Sequence, residues 1–120
     1  MLTWGFSARE LRLHARNALV RIGEPAVEPL INALGNDNAR LPILDILVSI
    51  GKPAVEPLLE VLEHDDEDVL FFAARALGKI GDDRARKPLS TLYHDSEKGG
   101  RVASGRLRTA AAIALGQLMP

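Results

Sequence analysis

An all-α protein, a right-handed α-solenoid (an α-α superhelix) of about three and a half helical pairs, follows from a repeat, a period and a composition. Residues 22–34 read IGEPAVEPLINAL and, 28 positions on, residues 50–62 read IGKPAVEPLLEVL. The period is helical: Leu11, Ala15, Ala18, Leu19 and Ile22 fall at i, i+4, i+7, i+8 and i+11, one face of a 3.6-residue helix. The composition is 47% hydrophobic but only 4% aromatic. A core must therefore be assembled from Leu, Ile, Val and Ala, which let helix axes approach to ~8–10 Å.

Aligned on their glycines, four segments are related: LRLHARNALVRIG (11–23), ARLPILDILVSIG (39–51), VLFFAARALGKIG (69–81) and LRTAAAIALGQLM (107–119). Each of the first three leads into a second apolar segment, EPAVEPLINAL (24–34), KPAVEPLLEVL (52–62) or DDRARKPLSTL (82–92). The first helix starts at Ser7, since Ser7-Ala-Arg-Glu10 has the form of a capping box. Gly23, Gly51 and Gly81 end the first helix of each pair, where a left-handed cap favours glycine. Pro25 and Pro53 open the second helices, where a missing N–H costs little. Pro29, Pro57 and Pro88 predict irregular first turns, because an interior proline forfeits a backbone bond. The acidic run Glu63, Asp65, Asp66, Glu67 and Asp68 enters the fifth helix, at the end where its dipole favours negative charge. The last pair is preceded by an inserted loop, 94–106, and the chain provides only its first helix.

The sequence thus divides one domain, 1–120, into repeats at 7–36, 37–64 and 65–94 and a half repeat at 107–119. Helices of ~10–16 residues are marginal alone in water. A single pair cannot cover its own apolar faces, so each copy supplies the core its neighbour lacks.

The run Leu70-Phe-Phe-Ala-Ala-Arg-Ala-Leu-Gly-Lys-Ile-Gly81, with Ala-Val-x-Pro-Leu after the turn in the earlier copies, resembles the short HEAT-like repeats named after the phycobilisome lyases. Arg12, Arg40 and Arg108 occupy that family's arginine column, which Leu70 leaves, and Ile43, Leu44 and Ile46 replace alanines in the second copy. The resemblance covers about residues 7–119 and implies an α-solenoid. It does not single out an activity, because repeats of this type serve bilin lyases, a protein hydroxylase, DNA-alkylation repair enzymes and scaffolds.

Little in the sequence suggests catalysis or a cofactor. With no cysteine, disulfides and thiolate metal sites are excluded, and a reducing, cytoplasmic location is expected. The first residues, MLTWGFSARELR, lack a secretory leader's basic start and apolar run. No stretch approaches the roughly 18 apolar residues of a membrane span. His64-Asp65 and His94-Asp95, thirty residues apart, are a conceivable metal pair, but they read as polar turns, and no metal is expected. His14 is expected to be a partly buried structural residue. Gly100-Arg-Val-Ala-Ser-Gly-Arg106-Leu107 imitates a phosphate loop, yet it lacks the lysine, the magnesium-binding hydroxyl and a preceding strand. No nucleophile–base set is readable, and a non-enzymatic role is expected.

Charge carries more information. Residues 1–23 sum to +3, residues 24–68 to −9 and residues 69–120 to +5, giving the net −1. The second helices are expected to line the concave side, exposing Glu28 and Asn32, then Glu56 and Glu60, then Arg86, Lys87 and Thr91. A face acidic at one end and basic at the other suits a complementary protein partner. The same acidic stretch repels a continuous phosphate backbone. Lys98, Arg101 and Arg106 are the candidates in the loop. The last helix, rich in Ala, Leu and Ile and without a partner helix, offers a second docking surface, including for another copy of the chain. Trp4 and Phe6 are placed as a lid over the first pair, and the chain is consistent with a fragment of a longer array. The leading expectation is a protein-interaction scaffold. Its alternatives are a subunit of a bilin-lyase-like enzyme and nucleic-acid binding through the basic C-terminal third.

Overall fold

The computed structural model describes residues 8–35, 40–63, 66–97 and 105–118, with their side chains except at 8–12, 35, 40 and 97. The described residues form seven α-helices and no strand: α1 (Ala8–Ile22), α2 (Glu24–Asn32), α3 (Arg40–Ile50), α4 (Val55–Val61), α5 (Glu67–Ile80), α6 (Arg86–Glu97) and α7 (Gly105–Leu118). Short 3₁₀ turns precede α4 at Lys52–Ala54 and α6 at Asp83–Ala85, and one follows α2 at Ala33–Gly35. The expected irregular first turns therefore occur before α4 and α6, whereas α2 accommodates Pro29 within a continuous helix.

The helices stack in two layers. α1, α3, α5 and α7 pack in sequence along one layer, with α2, α4 and α6 on the other. Each second helix leans on the first helix of the next pair, α2 on α3, α4 on α5 and α6 on α7. Each copy is thus completed by its neighbour, as the repeat requires. The molecule measures 57 × 27 × 22 Å, and its radius of gyration of 15.5 Å exceeds the roughly 14 Å of a compact chain of this length. It is an all-α solenoid.

The core is a single row of aliphatic side chains. Val27, Leu34, Leu47, Val55, Leu58, Leu70, Leu77, Leu89 and Leu107 are fully buried, drawn from every pair beyond α1. Helix α1 differs from the expectation. Ala15, Ala18 and Ile22 are exposed, Leu19 and Val20 are half-buried, and His14 is exposed rather than partly buried. The physical reason is position: among the described residues α1 packs on α3 and on its partner α2, with no first-layer helix on its other side. Arg16 supplies a polar tie in place of buried area, donating to the Asp45 carboxylate and, at 2.8 Å, to Ser49 Oγ. Trp4 and Phe6, the expected lid, lie outside the described residues.

The three turn glycines have φ of 71°, 79° and 78°, the region that only glycine enters freely. Gly81 alone takes the left-handed cap conformation expected of all three. Gly23 and Gly51 have ψ near −127° and −130° instead. They do double duty, the N–H closing one helix (Gly23 N to Leu19 O, 3.0 Å) while the carbonyl opens the next (from Ala26 N, 2.9 Å). In the third copy the turn is one residue longer, IGDDRA against IGEPA, so Asp82 takes over the opening. Its side chain accepts from Arg84 N at 2.9 Å.

Helices α5 and α7 approach each other closely. Both carry buried alanines, Ala73, Ala74 and Ala76 on one and Ala110, Ala111 and Ala114 on the other. A Cβ at Gly78 would sit 2.7 Å from the Ala114 backbone. Gly116 occupies the same place in the A-L-G run of the last copy, and a Cβ there would meet nothing within 4 Å.

Candidate functional site

The second-helix layer holds the residues expected to meet a partner. Glu28 and Asn32 on α2, Glu56 and Glu60 on α4, and Arg86, Lys87 and Thr91 on α6 are all exposed. They do not form one continuous strip. Glu60, Lys87 and Thr91 meet at a hollow of about 830 Å³ between α4 and α6, floored by Leu59, Leu62 and Leu92. Glu56 and Glu60 also border a smaller hollow of about 380 Å³ with Glu24, Lys52 and Arg84. Glu28 and Asn32 line neither.

The basic end of this face is largely spent on the fold. Arg86 pairs with Asp83 at 3.0 Å and donates to the Leu118 carbonyl at 3.2 Å, holding the C-terminal end of α7. Arg84 bridges two copies, with Asp82 at 3.0 Å and Glu56 at 3.0 Å. The Arg84 guanidinium, hydrogen-bonded to the Asp82 carboxylate, lowers the Asp82 pKa to about 2, and Asp82 in turn raises that of Arg84. Among the described residues Lys87 is left without an ion pair. The acidic-to-basic gradient expected along this face is therefore mostly acidic. By layer, α2, α4, α6 and their 3₁₀ turns carry seven acidic against four basic residues, while α1, α3, α5 and α7 carry nine basic against four acidic. Sequence reasoning passed over Glu24, Lys52 and Arg84. The signal was the turn itself, since Asp82 and Arg84 two residues apart form a capping pair.

The inserted loop is shorter than 94–106. Helix α6 runs to Glu97 and α7 begins at Gly105, so the connection is 98–104 at most. Lys98 and Arg101 lie outside the described residues, and Arg106 is a helical residue rather than a loop one. Arg106 pairs with Asp68 at 2.8 Å and lies over the Phe71 ring at 3.9 Å. The acidic run before α5 acts as a cap, Asp66 accepting from Asp68 N at 3.0 Å and Val69 N at 3.3 Å. His94 stands exposed on α6 edge-on to Tyr93, at 5.6 Å, and His64 is outside the described residues. Among the described residues no three of His, Asp and Glu gather as a metal site would require, and no helix is long and apolar enough to cross a membrane.

A model of the HEAT repeat family matches residues 27–116, 90 of the 120 residues. No curated protein matches the chain.

Proposed function

We propose, since the chain belongs to the HEAT repeat family, that it is a non-enzymatic protein-interaction scaffold that docks a basic segment of a partner on its second-helix face. The observation that carries this is the hollow between α4 and α6. Its apolar floor of Leu59, Leu62 and Leu92 lies inside a rim bearing Glu60 and Glu63, on a layer with excess carboxylates. An apolar centre with a charged rim is how protein interfaces gain affinity and choose partners. The lowered pKa of Asp82 is explained by its ion pair with Arg84 in the same turn, and Arg84 in turn reaches Glu56 of the preceding copy, which fits a structural rather than a catalytic role. The finer likeness to the phycobilisome-lyase type, strongest over residues 70–81, is part of this reading, as is a cytoplasmic site of action. On the scaffold reading, mixing the protein with a bilin leaves the absorbance spectrum unchanged.

Panning a displayed peptide library against the immobilised protein tests the reading. Sequences mixing Lys or Arg with aliphatic residues are expected to be enriched, and a Glu56→Lys/Glu60→Lys variant is expected to lose them. Enriched peptides that bind the variant equally well would sink the proposed face. The proposal extends to the outer flank of α7, where Arg108, Ala112 and Gly116 are exposed and a second copy could stack. Light scattering that finds only monomer at high concentration removes that part.

A further inference from the structure

On the opposite layer, α5 and α7 enclose a groove of about 500 Å³. Phe71, Arg75 and Lys79 line it at i, i+4 and i+8 along α5, and Arg106 and Ile113 face them from α7. Ile113 is 59% exposed, one of the few large apolar side chains left to solvent. Arg75 and Lys79 also border the next depression along the layer, where Leu41, 64% exposed, stands on α3. The α5 ridge thus places two cations between two exposed aliphatic side chains.

We propose that this groove is a second docking site, for an acidic peptide segment of a protein partner that carries aliphatic side chains among its carboxylates. Charge complementarity selects that occupant. Among the described residues neither Arg75 nor Lys79 forms an ion pair. The carboxylates near the groove are already engaged, Asp68 and Glu67 by Arg106 and Asp45 by Arg16. The first-helix layer as a whole is basic, nine residues against four. Exposed Ile113 and Leu41 give aliphatic side chains somewhere to bury, which phosphates would not use. A single-stranded nucleic acid needs open aromatic faces on which to stack. Here the Phe71 ring is covered by the Arg106 guanidinium at 3.9 Å and approached by Arg75 at 5.6 Å.

Fluorescence anisotropy with a labelled peptide of Leu-Leu-Glu-Glu units tests the site. Controls have Ser for each Leu or Lys for each Glu, and oligothymidylate stands for nucleic acid. The Leu-Glu peptide is expected to bind the full chain, less tightly as salt is added. An Arg75→Glu/Lys79→Glu variant is expected to bind it at least about tenfold more weakly, and Ile113→Ser to weaken it as well. Glu56→Lys/Glu60→Lys, on the other face, is expected to leave this binding intact, which separates the site from the second-helix reading. Circular dichroism checks that each variant is folded. Should the double variant not fold, Lys79→Glu and Ile113→Ser alone decide the matter, both positions being exposed. The proposal is overturned if the Leu-Glu peptide does not bind, if the charge-reversed groove binds it as tightly, or if the Ser peptide does equally well. It is also overturned if oligothymidylate alone occupies the groove, or if light scattering shows a dimer that Arg75→Glu/Lys79→Glu disrupts.

Discussion

Gly78 and Gly116 are the same residue in two copies of one repeat, and their surroundings differ completely. At Gly78 a Cβ would press to 2.7 Å on the Ala114 backbone, with the Gln117 side chain also in the way. At Gly116 the space is open. Alanine in a helix is worth ~1 kcal/mol over glycine, so the sign of each substitution depends on which effect wins. Gly78→Ala is expected to destabilise by about 1–3 kcal/mol, overpacking outweighing propensity. Gly116→Ala is expected to stabilise by roughly 0.5–1 kcal/mol. Urea unfolding of the two variants would show opposite shifts of midpoint. A second residue-scale prediction concerns Asp82, whose pKa falls from 3.8 to about 2 on folding because Arg84 hydrogen-bonds its carboxylate. A group depressed in the folded state binds its proton more tightly when unfolded, so its contribution is whole above about pH 4 and disappears as pH falls toward 2. Asp82→Asn keeps a capping side chain but loses this dependence. Its stability is expected to vary less with pH across that window than the parent's, measured by thermal melts in acid.

At the scale of elements, helices with the same apolar period are buried to different depths. In α5, Leu70, Phe72, Ala73, Ala74, Ala76, Leu77 and Gly78 are buried, since α3 and α4 cover one side and α7 the other. In α1 no described side chain is buried. The periodicity of Leu11 to Ile22 identified a helix and its apolar face, but it could not say how many neighbours that face would find. Leu77→Ala is accordingly expected to cost ~2–5 kcal/mol. Leu19→Ala, at a half-buried position, is expected to cost clearly less. Native-state hydrogen exchange is expected to show α1 amides exchanging well before those of α5, because opening α1 sacrifices little buried area. Equal protection of the two helices would mean that α1 is held by more than Leu19, Val20 and the exposed Arg16–Asp45 pair, a contact worth no more than ~1 kcal/mol.

For the molecule as a whole, the charge order along the chain turns into a charge difference between layers. Because consecutive helices alternate sides, an acidic middle and basic ends do not translate into acidic and basic ends of one face. The second-helix layer retains its carboxylates, while Arg84 and Arg86 are drawn into ion pairs. The first-helix layer collects the basic excess. Reversing Glu56 and Glu60 to Lys is therefore expected to abolish binding of a basic peptide. The cost in stability is expected to be at most about 1 kcal/mol, since the lost Glu56–Arg84 pair is exposed. Calorimetry and a melt on the same sample measure both.

The order of helices, the glycine turns, the stacking of pairs and the membership of a repeat family were all contained in the sequence. They depend on local period, on backbone conformations that glycine alone tolerates, and on a recurrence that shows where one unit stops and the next begins. Which face each charged side chain serves was decided only by the tertiary structure. Arg86 was legible as a basic residue on a second helix, but its bond to the Leu118 carbonyl joins positions 32 residues apart. Arg106 read as a loop residue until α7 placed it on α5. The groove at Phe71, Arg75 and Lys79 needs α7 as its other wall. Pairings of this kind arise from how neighbouring copies lean on one another, and no pattern within a single copy records that angle.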